Sequence, residues 1–386
     1  FIGLLVIFYT VYGGTKAVSY TQLLQMSIIF MGMFFAGVVV VKLLPDGVGF
    51  KHALRIAGQM GKMNVIDWKF DPQNKYNVWS GLIGGFFLQL SYFGTDQSQV
   101  GRYLAGSSIA QSRLGLIMNG LVKVPMQFLI LLIGVLVFAF YQFNQPPMFF
   151  NSYEVNQIKK SPYAAAYNGL EQQYHYFSQQ KEQKNLELVN IMKTGSPQQI
   201  NTVKTSLKAI DKQTGIIRSQ GIELMKANDA NANTDDTNYV FLSFVKQNLP
   251  VGLVGLLIAI IFLASMGSTA SALNSLASTS TVDIYKRIVN PGASDANYLT
   301  ASRLATVFWG LVCIGMALFA GKMGNLLEAV NELGSYMYGT ILGVFVVAFY
   351  LKKIRGTSVF IAAFIAEAII CILGYYNAVA YLWFNA

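Results

Sequence analysis

The apolar residues of this chain fall in long blocks separated by polar connections, not in short amphipathic stripes. Leu23–Val41 carries no charge. At ~1.5 Å per residue its length matches a hydrocarbon core of about 30 Å. Val78–Thr95, Leu114–Tyr141, Val251–Val282, Leu304–Gly321, Ala329–Tyr350 and Val359–Phe384 repeat the pattern, interrupted by isolated charges. Backbone amides in lipid find no water, so each block is predicted to be a helix that closes its own hydrogen bonds. Phe1–Val11 reads as the tail of a further helix, closed by Gly13-Gly14. The chain opens inside that apolar run without an initiator methionine or a signal-peptide pattern, so upstream helices are expected to belong to the natural protein.

Two polar stretches interrupt the blocks. Leu44–Asn77 contains a short predicted helix around Lys51–Met60. Asn144–Asn248 is far longer than an ordinary connection. Within it Ile200, Val203, Leu207, Ile210, Ile217 and Leu224 form a helical stripe, and Leu170, Tyr174 and Phe177 begin another. Gly195-Ser196-Pro197 divides them, with Ser196 placed as an N-cap and Pro197 at the first helical position. The stretch is therefore predicted to be an antiparallel helical hairpin outside the membrane, its stripes forming its own core. Asp229–Asn238, rich in Asn and Asp, reads as a solvated linker to the next span. The organisation expected is a first set of membrane helices over 1–143, the hairpin insertion over 144–248, and a second set over 249–386.

Composition agrees: 54% of residues are hydrophobic and 12% charged, where soluble domains carry about a quarter charged. The net charge of +10 is spread over loops with no basic stripe or recognition motif, which excludes a nucleic-acid partner and leaves the lipid bilayer as the surface some of these residues meet. Cys313 and Cys371 lie inside apolar blocks and give no disulfide framework. His52 and His175 fall in polar loops without metal-ligand spacing.

Three stretches go beyond generic membrane helix. The first is Tyr9-Thr10-Val11-Tyr12-Gly13-Gly14 continuing through Tyr20-Thr21-Gln22 to Gln25; the second is Tyr92-Phe93-Gly94-Thr95-Asp96-Gln97 with Gln99, Arg102, Tyr103 and Leu104; the third is Ser265–Tyr285, rich in hydroxyls and ending in Val282-Asp283-Ile284-Tyr285. In this order they resemble the sodium–solute symporter family, which includes the sodium–glucose cotransporters. The resemblance implies an all-α polytopic membrane protein with a secondary transporter core of two inverted five-helix repeats. This chain would hold part of that core, from the end of the fourth core helix past the tenth, with an extracytoplasmic hairpin insertion. It also implies an integral membrane protein of the cell membrane.

Ser265, Ser268, Thr269, Ser271, Ser275 and Ser278 concentrate hydroxyls within one apolar helix. Small residues in such a run also favour close helix packing. The resemblance assigns this helix the sodium site, and counting back from Asp283 puts the ligand positions on Ala264, Gly267 and Ser268. Gly267 departs from the family pattern, because it offers no side-chain oxygen. A shift by one residue would use Ser268 and Thr269, but the spacing to Asp283 argues against it. Thr21-Gln22 stands where some relatives have Thr-Asp, so a second cation there is not expected. Coupling to at most one sodium ion follows, with weakened affinity.

Lys123 lies in an otherwise apolar helix, where an ionisable side chain is a functional candidate. Snorkelling, or pairing with a carboxylate such as Asp96, is the alternative. In sugar-transporting relatives the matching lysine lies at the substrate site. There Gln89, Tyr92 and Phe93 fall at positions that contact or cover the sugar, and Asn331 falls where they have a glutamine. Amides, an ammonium and aromatic faces suit a small polar solute, a sugar or polyol first, with a carboxylate or amino acid as the alternative. Among bland readings, Glu328 and Glu332 are solvated or paired at a helix end, and Asp283 anchors Lys286 and Arg287. No P-loop is present, and the spans hold no nucleophile–base pair, so no enzyme is expected. A transporter-like membrane sensor is the other class to separate from a symporter.

Overall fold

The computed structural model describes residues 2–64, 66–104, 106, 108–320 and 326–386; the side chains of 2, 9, 12–24, 193, 194, 319, 320, 326 and 327 lie outside this description. Among the described residues the regular structure is helical. In chain order the elements are α1 (Ile2–Lys42), α2 (Phe50–Gln59), a π-helical turn (Ser80–Gly84) leading into α3 (Gly85–Thr95), α4 (Gln97–Leu104), α5 (Ile109–Phe143) and α6 (Ser152–Ile158). There follow α7 (Ala164–Thr194), α8 (Pro197–Asn228), α9 (Val240–Asn248), α10 (Val251–Thr279) with a π-helical extension (Ser280–Val289), α11 (Asp295–Ala320), α12 (Leu326–Tyr350), α13 (Gly356–Tyr375) and a 3₁₀ turn (Tyr381–Asn385). Helices long and apolar enough to cross a membrane occur at Gln25–Lys42, Ile109–Phe143, Val251–Val289, Asp295–Leu318, Glu328–Tyr350 and Gly356–Tyr375.

Several expectations are corrected. Gly13-Gly14 does not end a helix: α1 is continuous over Ile2–Lys42. In lipid an interrupted backbone leaves unsatisfied groups that outweigh the ~1 kcal/mol a glycine costs a helix. The block Val78–Thr95 is not a uniform α-helix, since it starts with the π turn and stops at Asp96, whose backbone is extended (φ −69°, ψ 118°). The block Val359–Phe384 is likewise shorter as a helix, because α13 stops at Tyr375. Asn377 then takes a positive φ of 47°, which asparagine tolerates. The chain turns there, and the Ala380 N–H donates to the Pro72 carbonyl at 2.8 Å. His52 and His175 stand on α2 and α7, not in loops.

The chain divides into two compact units. The first comprises Phe1–Gln25, Ile66–Lys123 and Ile261–Ala386; the second comprises Met26–Val65 and Val124–Ile260. In the first, α12 packs against α3, α13 and the 3₁₀ turn. The Trp383 indole donates to Ser80 Oγ (2.9 Å) and the Asn385 amide to Ser335 Oγ (2.9 Å), which ties the turn to both helices. A separate core joins Val6 and Ile7 of α1 to Ala270 and Leu273 of α10.

The second unit contains the hairpin. Helices α7 and α8 pack along each other. Val203 and Leu207 bury against Leu188, while Ile217 and Met225 bury with Tyr167 and Tyr174. Ser196 caps α8 as expected: the Ser196 N–H donates to Gln199 Oε1 (2.9 Å), and Ser196 Oγ accepts from the Gln199 N–H (3.4 Å). The expectation of a solvated Asp229–Asn238 linker is corrected at Asp236, which is only 4% exposed. Asp236 pairs with Arg218 and accepts the Phe150 N–H at 2.7 Å. A buried carboxylate needs such partners, and Arg218 on α8 supplies the charge.

Candidate functional site

The residues singled out from the sequence all fall in the first unit. Gln89, Tyr92 and Phe93 are three and four residues apart on α3, so they share one face. The neighbouring face is the packing face, where Leu88 and Ser91 are buried. Ser91 Oγ donates to the Tyr338 carbonyl at 2.6 Å and lies 3.3 Å from Thr95 Oγ1, fixing α3 on α12. The same contact brings the Tyr338 ring to 6.2 Å from that of Tyr92. Tyr338 is seven residues after Asn331, two turns along one face of α12. The Asn331 carbonyl accepts from Ser335 Oγ at 2.8 Å. Among the described residues its carboxamide, like that of Gln89, has no hydrogen-bond partner.

Lys123 joins this group. Its Nζ lies 4.9 Å from the centre of the Phe93 ring, within cation–π range. The expected alternative, an ion pair with Asp96, is not formed: Asp96 Oδ1 instead accepts the Ser98 N–H (2.8 Å) and the Ser98 hydroxyl (2.5 Å). Asp96 thereby caps the start of α4 while α3 ends one residue before it. The helix is interrupted beside the aromatic cluster, so carbonyls at the end of α3 and amides at the start of α4 lack intrahelical partners. Gln99 of α4 donates to the Tyr92 hydroxyl at 2.7 Å, closing the break on its aromatic side.

The proposed cation ligands lie on α10. Ala264, Gly267 and Ser268 occupy one face by their three- and four-residue spacing, and Ser271 and Ser275 continue it. Gly267 is buried, Ala264 half-buried and Ser268 exposed. Ser275 Oγ turns back to the Ser271 carbonyl at 3.0 Å, whereas Ser268 has no partner among the described residues. Ala270 and Leu273 form the opposite, packing face. No hydrogen bond or ring contact among the described residues links Ser268 to Lys123. The Thr21-Gln22 expectation concerns side chains outside the described residues. Glu328 pairs with Lys75 and accepts from the Tyr76 hydroxyl at 3.1 Å. Asp283 pairs with Arg287 at 3.3 Å.

The sequence reading missed Ser91 and Tyr338. Ser91 stands beside named residues, but its contact is made across 247 positions and leaves no local signal. The spacing of Asn331, Ser335 and Tyr338 along α12 is the pattern that points to a shared face.

The profile of the Sodium:solute symporter family matches residues 1–155 and 215–365. The chain belongs to the sodium:solute symporter family. It is 25% identical over 89% of its length to the sodium-dependent multivitamin transporter of Oryctolagus cuniculus, covering 41% of that protein. It is 24% identical to the Homo sapiens sodium-coupled monocarboxylate transporter 1 (89% of this chain, 42% of the relative) and 24% identical to the Vibrio parahaemolyticus sodium/glucose cotransporter (91% and 52%). The structure of a Na⁺-coupled sialic acid symporter in a substrate-bound outward-open state superposes with a TM-score of 0.65 at 20% identity. That match covers 100% of this chain and 62% of the other. The fold is thus that of an inverted-repeat transporter core, present in part. The chain spans about half the length of the curated relatives it matches. Family membership and the apolar helices make it an integral membrane protein whose relatives are transporters rather than enzymes.

Proposed function

We propose that this chain carries the solute-recognition half of a symporter that moves a small polar solute with sodium across the cell membrane by alternating access. The observation that carries the reading is the interrupted helix at Asp96, bordered by Tyr92, Phe93, Gln99 and Lys123. Breaks of this kind offer unpaired backbone groups to a solute inside a membrane, and the rings and free carboxamides of Gln89 and Asn331 orient it. A hydroxylated solute, sugar or polyol, fits these donors and faces. A carboxylate is the second reading, favoured by one contact: the Lys123 ammonium rests on Phe93 and not on Asp96. Sodium is the coupling ion, taken up by the Ala264–Gly267–Ser268 face of α10 with oxygens from elsewhere in the protein. The hairpin lies on the extracytoplasmic side.

Sodium-driven counterflow in proteoliposomes, over sugars, polyols, amino acids and carboxylates, tests the reading. Uptake of one class that needs sodium, with a Hill slope near one, is expected. Binding without sodium-driven uptake would point instead to a sensor. A slope clearly above one would overturn the single-sodium assignment. Lys123→Gln should weaken apparent solute affinity by about 10- to 100-fold, the range for a hydrogen bond to a charged group; unchanged affinity removes Lys123 from the site.

A further inference from the structure

A groove runs along α12 and α13 from Gly339 onward. One cavity of about 680 Å³ and a neighbouring one of about 610 Å³ share Val344, Val347, Ile354, Val359 and Ala363, so they form one continuous channel. Its walls are mainly apolar, with Thr340, Ser358 and the Trp383–Asn385 turn also lining the first cavity and small residues at Gly343 and Ala366 leaving room between the helices. From Gly339 to Lys352 the channel covers about 20 Å of helix, comparable with the depth of one leaflet at about 15 Å.

The mouth differs in chemistry. Lys352 lines it, and Lys353 and Arg355 stand on the same exposed turn. None of the three has an acidic partner among the described residues. Gly356 also lines the mouth and is the first residue of α13, so the unpaired N–H groups that begin a 20-residue helix open there. A mainly apolar slot about one leaflet deep, ending at three cations without acidic partners among the described residues and at a helix amino end, is complementary to one kind of molecule.

We propose that this groove is a binding site for an anionic phospholipid, one acyl chain lying between α12 and α13 and the phosphate held at Lys352 and the start of α13. The acyl chain leaves surroundings as apolar as those it enters, so the slot positions the lipid while the headgroup charge selects it. Each basic side chain near an anionic headgroup contributes about fivefold to affinity, which sets a ceiling of roughly a hundredfold for three. The inference does not depend on which solute is carried.

The test is native mass spectrometry on the full-length polypeptide that carries this chain, in mild detergent, titrated with phosphatidylglycerol and phosphatidylcholine of identical acyl chains. Phosphatidylglycerol should be retained at least about tenfold better at 0.1 M salt, with the preference falling at 1 M as screening shortens to ~3 Å. Changing Lys352, Lys353 and Arg355 to Gln together should erase the preference. Gly343→Phe should expel both lipids, since a side chain there starts in open space and fills the slot. Equal retention of the two lipids by the unaltered protein would overturn the proposal without any variant. So would absence of bound lipid, which would mean that other polypeptide covers the groove, or retention that Gly343→Phe leaves unchanged.

Discussion

Replacing Asp236 with alanine tests how the hairpin is held. Asp236 Oδ2 accepts the Phe150 N–H and Oδ1 the Arg218 guanidinium, while Arg218 Nη1 also reaches the Met148 carbonyl at 3.0 Å. One carboxylate therefore fastens the start of the hairpin, α8 and the segment leaving it. Breaking a fully buried ion pair costs about 3–5 kcal/mol. Arg218 keeps 30% of its side chain exposed, so water relieves part of that and about 2–3 kcal/mol is expected. At ~1.4 kcal/mol per decade this is roughly 30- to 140-fold faster opening. Hydrogen exchange on the purified protein reads it directly at peptides covering 146–152 and 233–240, because exchange from local opening follows the local free energy. Asp236→Asn keeps an acceptor for Phe150 but loses the charge, so its effect should fall between the two. Exchange in the alanine variant within threefold of the parent would refute the reasoning.

Tyr167 is fully buried and its hydroxyl has no partner among the described residues; burial pushes the phenol well above its ordinary pKa, with the Glu171 charge adding to this. The unfolded phenol ionises first, so hairpin stability should be constant below the ordinary tyrosine range and fall as pH rises through it. Tyr167→Phe should reduce that alkaline loss, the rest coming from Tyr174, whose pKa burial also raises, and leave stability at neutral pH equal or up to about 1–2 kcal/mol higher; thermal melts at neutral and alkaline pH check both. Gly84→Ala would drive a methyl into the Leu382 carbonyl, so the 3₁₀ turn should detach and Trp383 fluorescence shift, with unaltered fluorescence refuting it. Ser268→Ala should raise the sodium concentration for half-maximal uptake by about tenfold, one hydrogen-bond equivalent, with solute affinity at saturating sodium unchanged.

What the sequence made legible was local. The hairpin stripes, the Ser196 cap and α2 each depend on residues within a few turns, and periodicity reports such neighbours well. Gln89, Tyr92 and Phe93 were singled out by the family resemblance, and the structure places them one helical turn apart on α3. Long-range partners were not. Asp236 sits in an Asn- and Asp-rich stretch that reads as solvated, and only the folded chain brings Arg218 to it. The C-terminal turn escaped notice because one residue, Asn377, changes the backbone direction inside an apolar block. Lys123 was visible as an ionisable residue in a span, but its contact with the Phe93 ring appears only in the folded chain.

The family profile passes over residues 156–214 and resumes just before Arg218. The segment between the two matches, with the α7–α8 turn at Gly195-Ser196, lies outside the matched family residues and is packed by Leu188, Val203 and Leu207. For electron microscopy of a small membrane particle, that helical hairpin is a natural handle. An antibody fragment raised against its α7–α8 turn would add mass at residues that the family profile does not match.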